Sequence, residues 1–385
     1  MRVLLDCSRV ISGGALQGVL ACVQNLGSNS AIEWHLAIRN EVFTQLSPGA
    51  ADNFASVAKS STNYGLIEKV FSPMLMNHAE KKVKPHLVWS FAGPVYWRPE
   101  AIHLVGFNQP HLIYPTASVE KLMSSLEIIK KKVVMYAARR SFLNSDYLTV
   151  QTNTVAERVA RILGFPSDRI FLTRNTYSNI FESTLVNSHR EQDKNQFTIF
   201  VPANPYPHKN LLIVPEVAKA LLDNGLRQFK FSLTVPKQHE KFRKIEFLSM
   251  KLGVQDHIVA LGTIPHHRLA DYYKSSNAVF LPTLLECSTA TYPESFLARV
   301  PLATSDLDFA RSLCCDAAIY FDPYDHLSAA EALCKLMTDQ KEREKLVENG
   351  LTVLRKNYPT PAEKWEEQLR CIQQVATSGQ KRKIG

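Results

Sequence analysis

With 385 residues, 45% of them apolar and 21% charged, the chain has the make-up of a soluble globular protein too long for one ordinary core, so two domains are expected. Its net charge of +9 implies attraction to something anionic. No zinc-finger, RNP or basic-zipper pattern accompanies that charge, which argues against nucleic acid as the partner. No apolar run approaches the roughly 20 residues that a membrane-spanning helix needs. The seven cysteines lack metal-type pair spacing, which fits free thiols in a reducing, cytoplasmic setting.

In chain order, the opening Met1-Arg2-Val3-Leu4-Leu5-Asp6 meets a charge too early for a secretory signal and reads as a first strand over residues 3–7. A loop with Gly13 and Gly14 follows, then a helix with Leu16, Val19, Leu20, Val23 and Leu26 on one face, at spacings of three and four. Further strands are read at 34–38, 86–91, 102–106, 147–150 and 170–173, with a helical stretch at 155–163 before the last. A long helix is expected over 119–142, with Leu122, Leu126, Ile129, Val133 and Tyr136 on one side. Lys130, Lys131, Lys132, Arg139 and Arg140 make it strongly basic, which suits either a solvated domain face or an anionic membrane surface.

The polar tract 183–196 has no periodicity and reads as a linker closing an N-terminal domain of residues 1–182. The alternation then restarts, with six strands at 197–201, 229–235, 257–261, 278–281, 301–304 and 318–321 in a second domain of residues 197–358. Residues 359–378 read as a helix returning to the N-terminal domain, and 379–385 as a disordered tail. The fold class is therefore α/β, two doubly wound Rossmann-like domains facing each other across a cleft.

Chemistry-bearing residues gather at strand ends, where such sheets bind ligands. Gly13 and Gly14 allow backbone to approach a ligand beside a helix N-terminus. Lys209, just after the strand 197–201, is a suitable point charge for a diphosphate leaving group. Glu286 and Glu294 stand seven residues apart across the junction after the strand 278–281, with Pro293 expected to open the helix that carries Glu294. Carboxylates there suit the hydroxyls of a ribose or a sugar, so the combination suggests a nucleotide-sugar site. His103, Asn108, Gln109 and His111 cluster after a strand of the first domain.

These features together resemble the retaining glycosyltransferases of family 4, the glycosyl transferases group 1, which have the GT-B fold. The resemblance rests on Glu286-x7-Glu294, the approach to it over residues 261–282, the continuation through 301–305 and 317–323, the Gly13-Gly14 loop and Lys209. It implies that Glu294 holds the nucleotide ribose, Glu286 contacts the donor sugar, Lys209 meets the diphosphate, and His111 is the N-terminal histidine touching the sugar. Two positions depart from the family pattern. Ala203-Asn204 replace a Gly-Arg pair, leaving a neutral amide for a cation, and Cys287-Ser288-Thr289 replace Gly-Phe-Gly, adding side chains beside the sugar. The resemblance further implies a metal-independent hexosyl transfer without a cofactor, from a UDP- or GDP-sugar to a glycan on a polyprenyl diphosphate, as in O-antigen or capsule assembly. That places the chain in the cytoplasm or at the inner membrane face. The rival readings are a GT-B sugar-nucleotide epimerase and a non-catalytic nucleotide- or anion-binding scaffold.

Overall fold

The computed structural model describes residues 1–11, 13–26, 31–60, 65–186 and 195–384. The chain forms two compact units. One comprises Met1–Pro115, Ser124–Asn175 and Thr360–Gly385, and the other Thr116–Met123 and Thr176–Pro359.

The first unit is built on a seven-stranded sheet in the order β3-β2-β1-β4-β5-β6-β7. Its strands are β1 (Arg2–Cys7), β2 (Glu33–Arg39), β3 (Ser56–Ser60), β4 (Leu87–Ser90), β5 (Ile102–Gly106), β6 (Tyr147–Val150) and β7 (Ile170–Leu172), and all neighbours are parallel. Parallel strands covered on both faces read as continuous apolar runs, which is why β1, β2, β4, β5 and β6 were legible in the sequence. The edge strand β3, Ser-Val-Ala-Lys-Ser, was not. Half exposed and polar at both ends, it carries neither an apolar run nor an alternation.

Its core joins Val3, Leu5, Val19, Val23 and Trp34 to Cys371, Ile372 and Val375 of the chain's last helix. The ring of Trp365 lies 5.8 Å from that of Trp34, and Arg174 forms an ion pair with Glu367. The helix runs from Pro361 to Ile384, so residues 379–384, expected to be a disordered tail, continue it.

The expected long helix over 119–142 is two helices. A short one, Ala117–Glu120, ends before Ser124, and a second spans Ser125–Leu143. The break has a local cause. The hydroxyl and backbone N–H of Ser124 both donate to the Glu127 carboxylate at 2.7 Å, and the Glu127 N–H returns to the Ser124 hydroxyl at 3.4 Å. This reciprocal cap satisfies N–H groups that a new helix leaves open. Leu122 therefore falls outside the basic helix.

The second unit holds a six-stranded parallel sheet in the order β10-β9-β8-β11-β12-β13. The strands are β8 (Phe197–Val201), β9 (Phe229–Leu233), β10 (Ile258–Ala260), β11 (Ala278–Leu281), β12 (Leu302–Ser305) and β13 (Ala318–Phe321). Ile199, Phe229, Phe231, Phe280 and Phe321 meet in its core. A helix, Asn179–Val186, reaches into the stretch read as a linker, and residues 187–194 lie outside the described residues.

Candidate active site

In the second unit the strand order reverses between β8 and β11, which are hydrogen-bonded neighbours with Ala278 beside Ile199 and Val279 beside Phe200. The loops leaving the carboxyl ends of such a strand pair diverge and leave a crevice, the usual place for a ligand in this kind of sheet. Lys209 follows β8 and Glu286 follows β11. The two residues are 77 positions apart in sequence, and their side chains form an ion pair. Both are largely withdrawn from solvent, with side chains 14% and 11% exposed.

Backbone ties hold the two loops together. The Leu284 N–H donates to the His208 carbonyl at 2.7 Å, and the Thr283 hydroxyl to the same oxygen at 3.2 Å. Asn210 takes a left-handed backbone (φ 53°) and its side-chain amide donates to the Pro323 carbonyl at 2.9 Å, fastening the Lys209 loop to the loop after β13 as well. Asn tolerates that conformation better than most residues. Asn204 lies exposed in the same loop, and its carbonyl accepts from the Tyr206 N–H at 2.8 Å.

Glu294 sits in the helix Thr291–Leu297, which opens two residues before Pro293. The residue is 6% exposed, and its carboxylate accepts from the Tyr273 hydroxyl at 3.0 Å. Burial pushes its pKa up to about 7, opposed by that hydrogen bond. Tyr273 is itself fully buried, edge-on to Phe200 with centroids 5.1 Å apart, so the ring is fixed and the hydroxyl position with it. Burial, then the Glu294 charge beside it, hold its phenol well above its usual range, so it stays protonated and donates to Glu294.

Of the three residues after Glu286, Cys287 is buried, and burial followed by the neighbouring Glu286 charge keep its thiol protonated. Ser288 and Thr289 are half-buried, and the Thr289 hydroxyl accepts from the Thr291 N–H at 3.3 Å. Among the described residues, no three His, Cys, Asp or Glu side chains gather as a metal site would require.

Gly13, Gly14 and His111 belong to the first unit. Gly13 has φ 69°, the left-handed region a glycine enters without strain, and a Cβ on Gly14 would meet nothing within 4 Å. His111 lies half-buried in the short turn Pro110–Leu112 that follows β5. At this unit's own reversal, between β1 and β4, a buried polar network fixes the chain leaving β1 toward Gly13. Asp6 accepts from the Ser8 hydroxyl at 2.6 Å, the Ser90 hydroxyl at 2.9 Å and the Trp97 indole N–H at 3.4 Å. Ser90 Oγ lies 3.0 Å from His103 Nε2. Because Ser90 donates to Asp6, the neutral His103 carries its proton on Nε2 and donates to Ser90. Burial, with Arg98 adding to it, drops the pKa of His103 to about 3, so it is structural and uncharged.

Sequence reasoning missed Tyr273, Asn210 and Asp6. Asp6 left a signal, a carboxylate inside an apolar strand. Tyr273 left none, since its partner lies 21 residues away.

Residues 183–353, which contain Lys209, Tyr273, Glu286 and Glu294, match the family model for glycosyl transferases group 1. This region is thus similar to the group 1 glycosyltransferases. No curated protein sequence matches the chain. Among solved structures, the chain is similar to sucrose-phosphate synthase from Thermosynechococcus elongatus, at 14% identity over 98% of this chain and 100% of that one, with a TM-score of 0.74. It is also similar to WaaG, a glycosyltransferase involved in lipopolysaccharide biosynthesis, at 14% identity over 95% and 99% of the two chains with a TM-score of 0.69. A third similar structure is the E. coli trehalose-6-phosphate protein with UDP-2-fluoro glucose bound, at 14% identity over 98% and 99% with a TM-score of 0.67. These likenesses establish the fold, which is GT-B.

Proposed function

We propose that the chain moves a hexose-type sugar from a nucleoside-diphosphate sugar to a glycan acceptor, with retention of anomeric configuration. The ion pair between Lys209 and Glu286 at the β8–β11 reversal is the observation that carries this reading. In the reaction the bond from anomeric carbon to diphosphate breaks, the electron pair leaves with the diphosphate, and the acceptor hydroxyl oxygen bonds to the same face of the sugar as its proton passes to the departing diphosphate oxygen. Lys209 meets the leaving diphosphate, where a fixed positive charge lowers the barrier most. Glu286 contacts the donor sugar near the reacting carbon, and Glu294 takes the ribose hydroxyls. Asn204, Cys287, Ser288 and Thr289 shape the donor site in the second unit, and Gly13, Gly14 and His111 are assigned to the donor from the first. No cofactor takes part.

The UDP sugar held by the E. coli neighbour favours UDP over GDP as the first donor to try. The lipopolysaccharide role of WaaG favours a lipid-linked glycan acceptor of surface-polysaccharide synthesis, met at the cytoplasmic face.

The test is a thermal-shift screen with UDP, GDP and their sugar conjugates on the wild type, Lys209→Ala and Glu294→Ala, followed by donor turnover with and without glycan. A ligand at a hundred times its Kd stabilises the fold by about 2.7 kcal/mol. Stabilisation by one nucleotide that both variants lose, with turnover requiring acceptor, is the expected result. Turnover without acceptor would instead make the protein an epimerase, and no shift with any nucleotide would leave a scaffold.

A further inference from the structure

The basic helix Ser125–Leu143 is apolar on two opposite sides. Ala138 and Phe142 are fully buried, and the Phe142 ring packs 4.7 Å from Phe107. On the other side Leu126, Ile129, Val133 and Tyr136 are 70%, 60%, 66% and 64% exposed. At 3.6 residues per turn these four fall on one stripe about 80° wide, and exposed Leu143 extends it. Four large apolar side chains left on one helical face form a contiguous patch, unlike the singly scattered apolar residues normal on a surface.

The charges around the stripe say what covers it. Lys130 flanks it on one edge, Lys132 and Arg139 on the other, and Arg140 lies within it; all four are exposed. The helix carries one acid, Glu127, and that carboxylate is engaged at the N-cap. A second copy packed on this face would set two such basic rows against each other, which like-charge repulsion opposes. An anionic bilayer surface satisfies both features, taking the apolar stripe into its acyl boundary and the lysines and arginines into its headgroups. Tyr136, with an apolar ring and a hydroxyl that accepts from Arg140 at 3.2 Å, suits that boundary chemically.

We infer that the outer face of Ser125–Leu143 docks the protein on a bilayer bearing anionic headgroups. The inference does not depend on the transferase reading, since it is read without any donor.

The experiment is flotation of the full chain with vesicles of phosphatidylcholine alone and of phosphatidylcholine with about one-third phosphatidylglycerol. It is repeated at high salt and on Lys130→Gln with Lys132→Gln, and on Ile129→Ser with Val133→Ser. The chain is expected to float with the anionic vesicles only and to release at high salt. Loss of two lysine charges weakens partitioning about thirtyfold. The serine pair also abolishes flotation, while thermal melting of both variants stays at the wild-type value, because all four positions are exposed. No flotation of the wild type, equal flotation with both vesicle types, or wild-type flotation of folded variants would overturn the inference. So would a concentration-dependent dimer that the serine pair dissolves, which would assign the face to a second copy.

Discussion

Glu294 is the residue whose chemistry is set most sharply by its surroundings. Its folded pKa of about 7 lies above the ordinary carboxylate value of 4.5, so the folded state binds the proton more tightly than the unfolded chain. The stability this contributes is complete below about pH 4.5 and is lost as pH rises through about 7, on the order of 3 kcal/mol in all. Glu294→Gln, neutral throughout, is expected to flatten that part of the stability–pH curve and to melt higher than wild type at pH 8. Ligand binding carries the opposite sign. A ribose whose hydroxyls donate to Glu294 favours the ionised form, so nucleotide affinity should fall by up to about tenfold per pH unit below 7 and level off above it. Calorimetric titration across pH 5.5–8.5 checks this, and a pH-independent affinity would remove Glu294 from the ribose.

At the scale of elements, β5 closely approaches the segment after β4 at Gly106. A Cβ on Gly106 would stand 2.1 Å from the Phe91 carbonyl oxygen, a backbone atom that cannot turn aside as a side chain can. Gly106→Ala is therefore expected to cost about 3 kcal/mol or more. It should appear as a lower denaturant midpoint with unchanged m-value; a shift below about 0.5 kcal/mol would show that the two segments separate easily. The same reasoning explains why strand ends carry the candidate chemistry. Short parallel strands with buried faces fix the backbone, and the loops leaving β8 and β11 inherit that rigidity through the His208 and Asn210 hydrogen bonds.

For the whole molecule, the last helix belongs with the first unit although nearly two hundred residues of the second separate it from the rest of that unit. Ile372 is fully buried in the first unit's core. Ile372→Ala is expected to cost about 2–5 kcal/mol, and hydrogen exchange should place the loss in residues of the first sheet. Equal loss of protection in both sheets would show that the two units unfold as one.

The sequence by itself determined the class of fold and most of the strands, because a strand buried on both faces must be apolar throughout, and that pattern is local. It also marked Lys209, Glu286 and Glu294 as candidates, since residues at strand ends stand out from apolar runs. The break before Ser125 was written in the Ser124 and Glu127 pair but hidden by the apolar spacing that runs through it. Only the tertiary structure decided that Lys209 pairs with Glu286, that Tyr273 donates to Glu294, and that the apolar stripe of the basic helix faces outward. Each of these depends on which distant segments pack together, and burial, which sets both ion pairing and the pKa of Glu294, is a property of that packing.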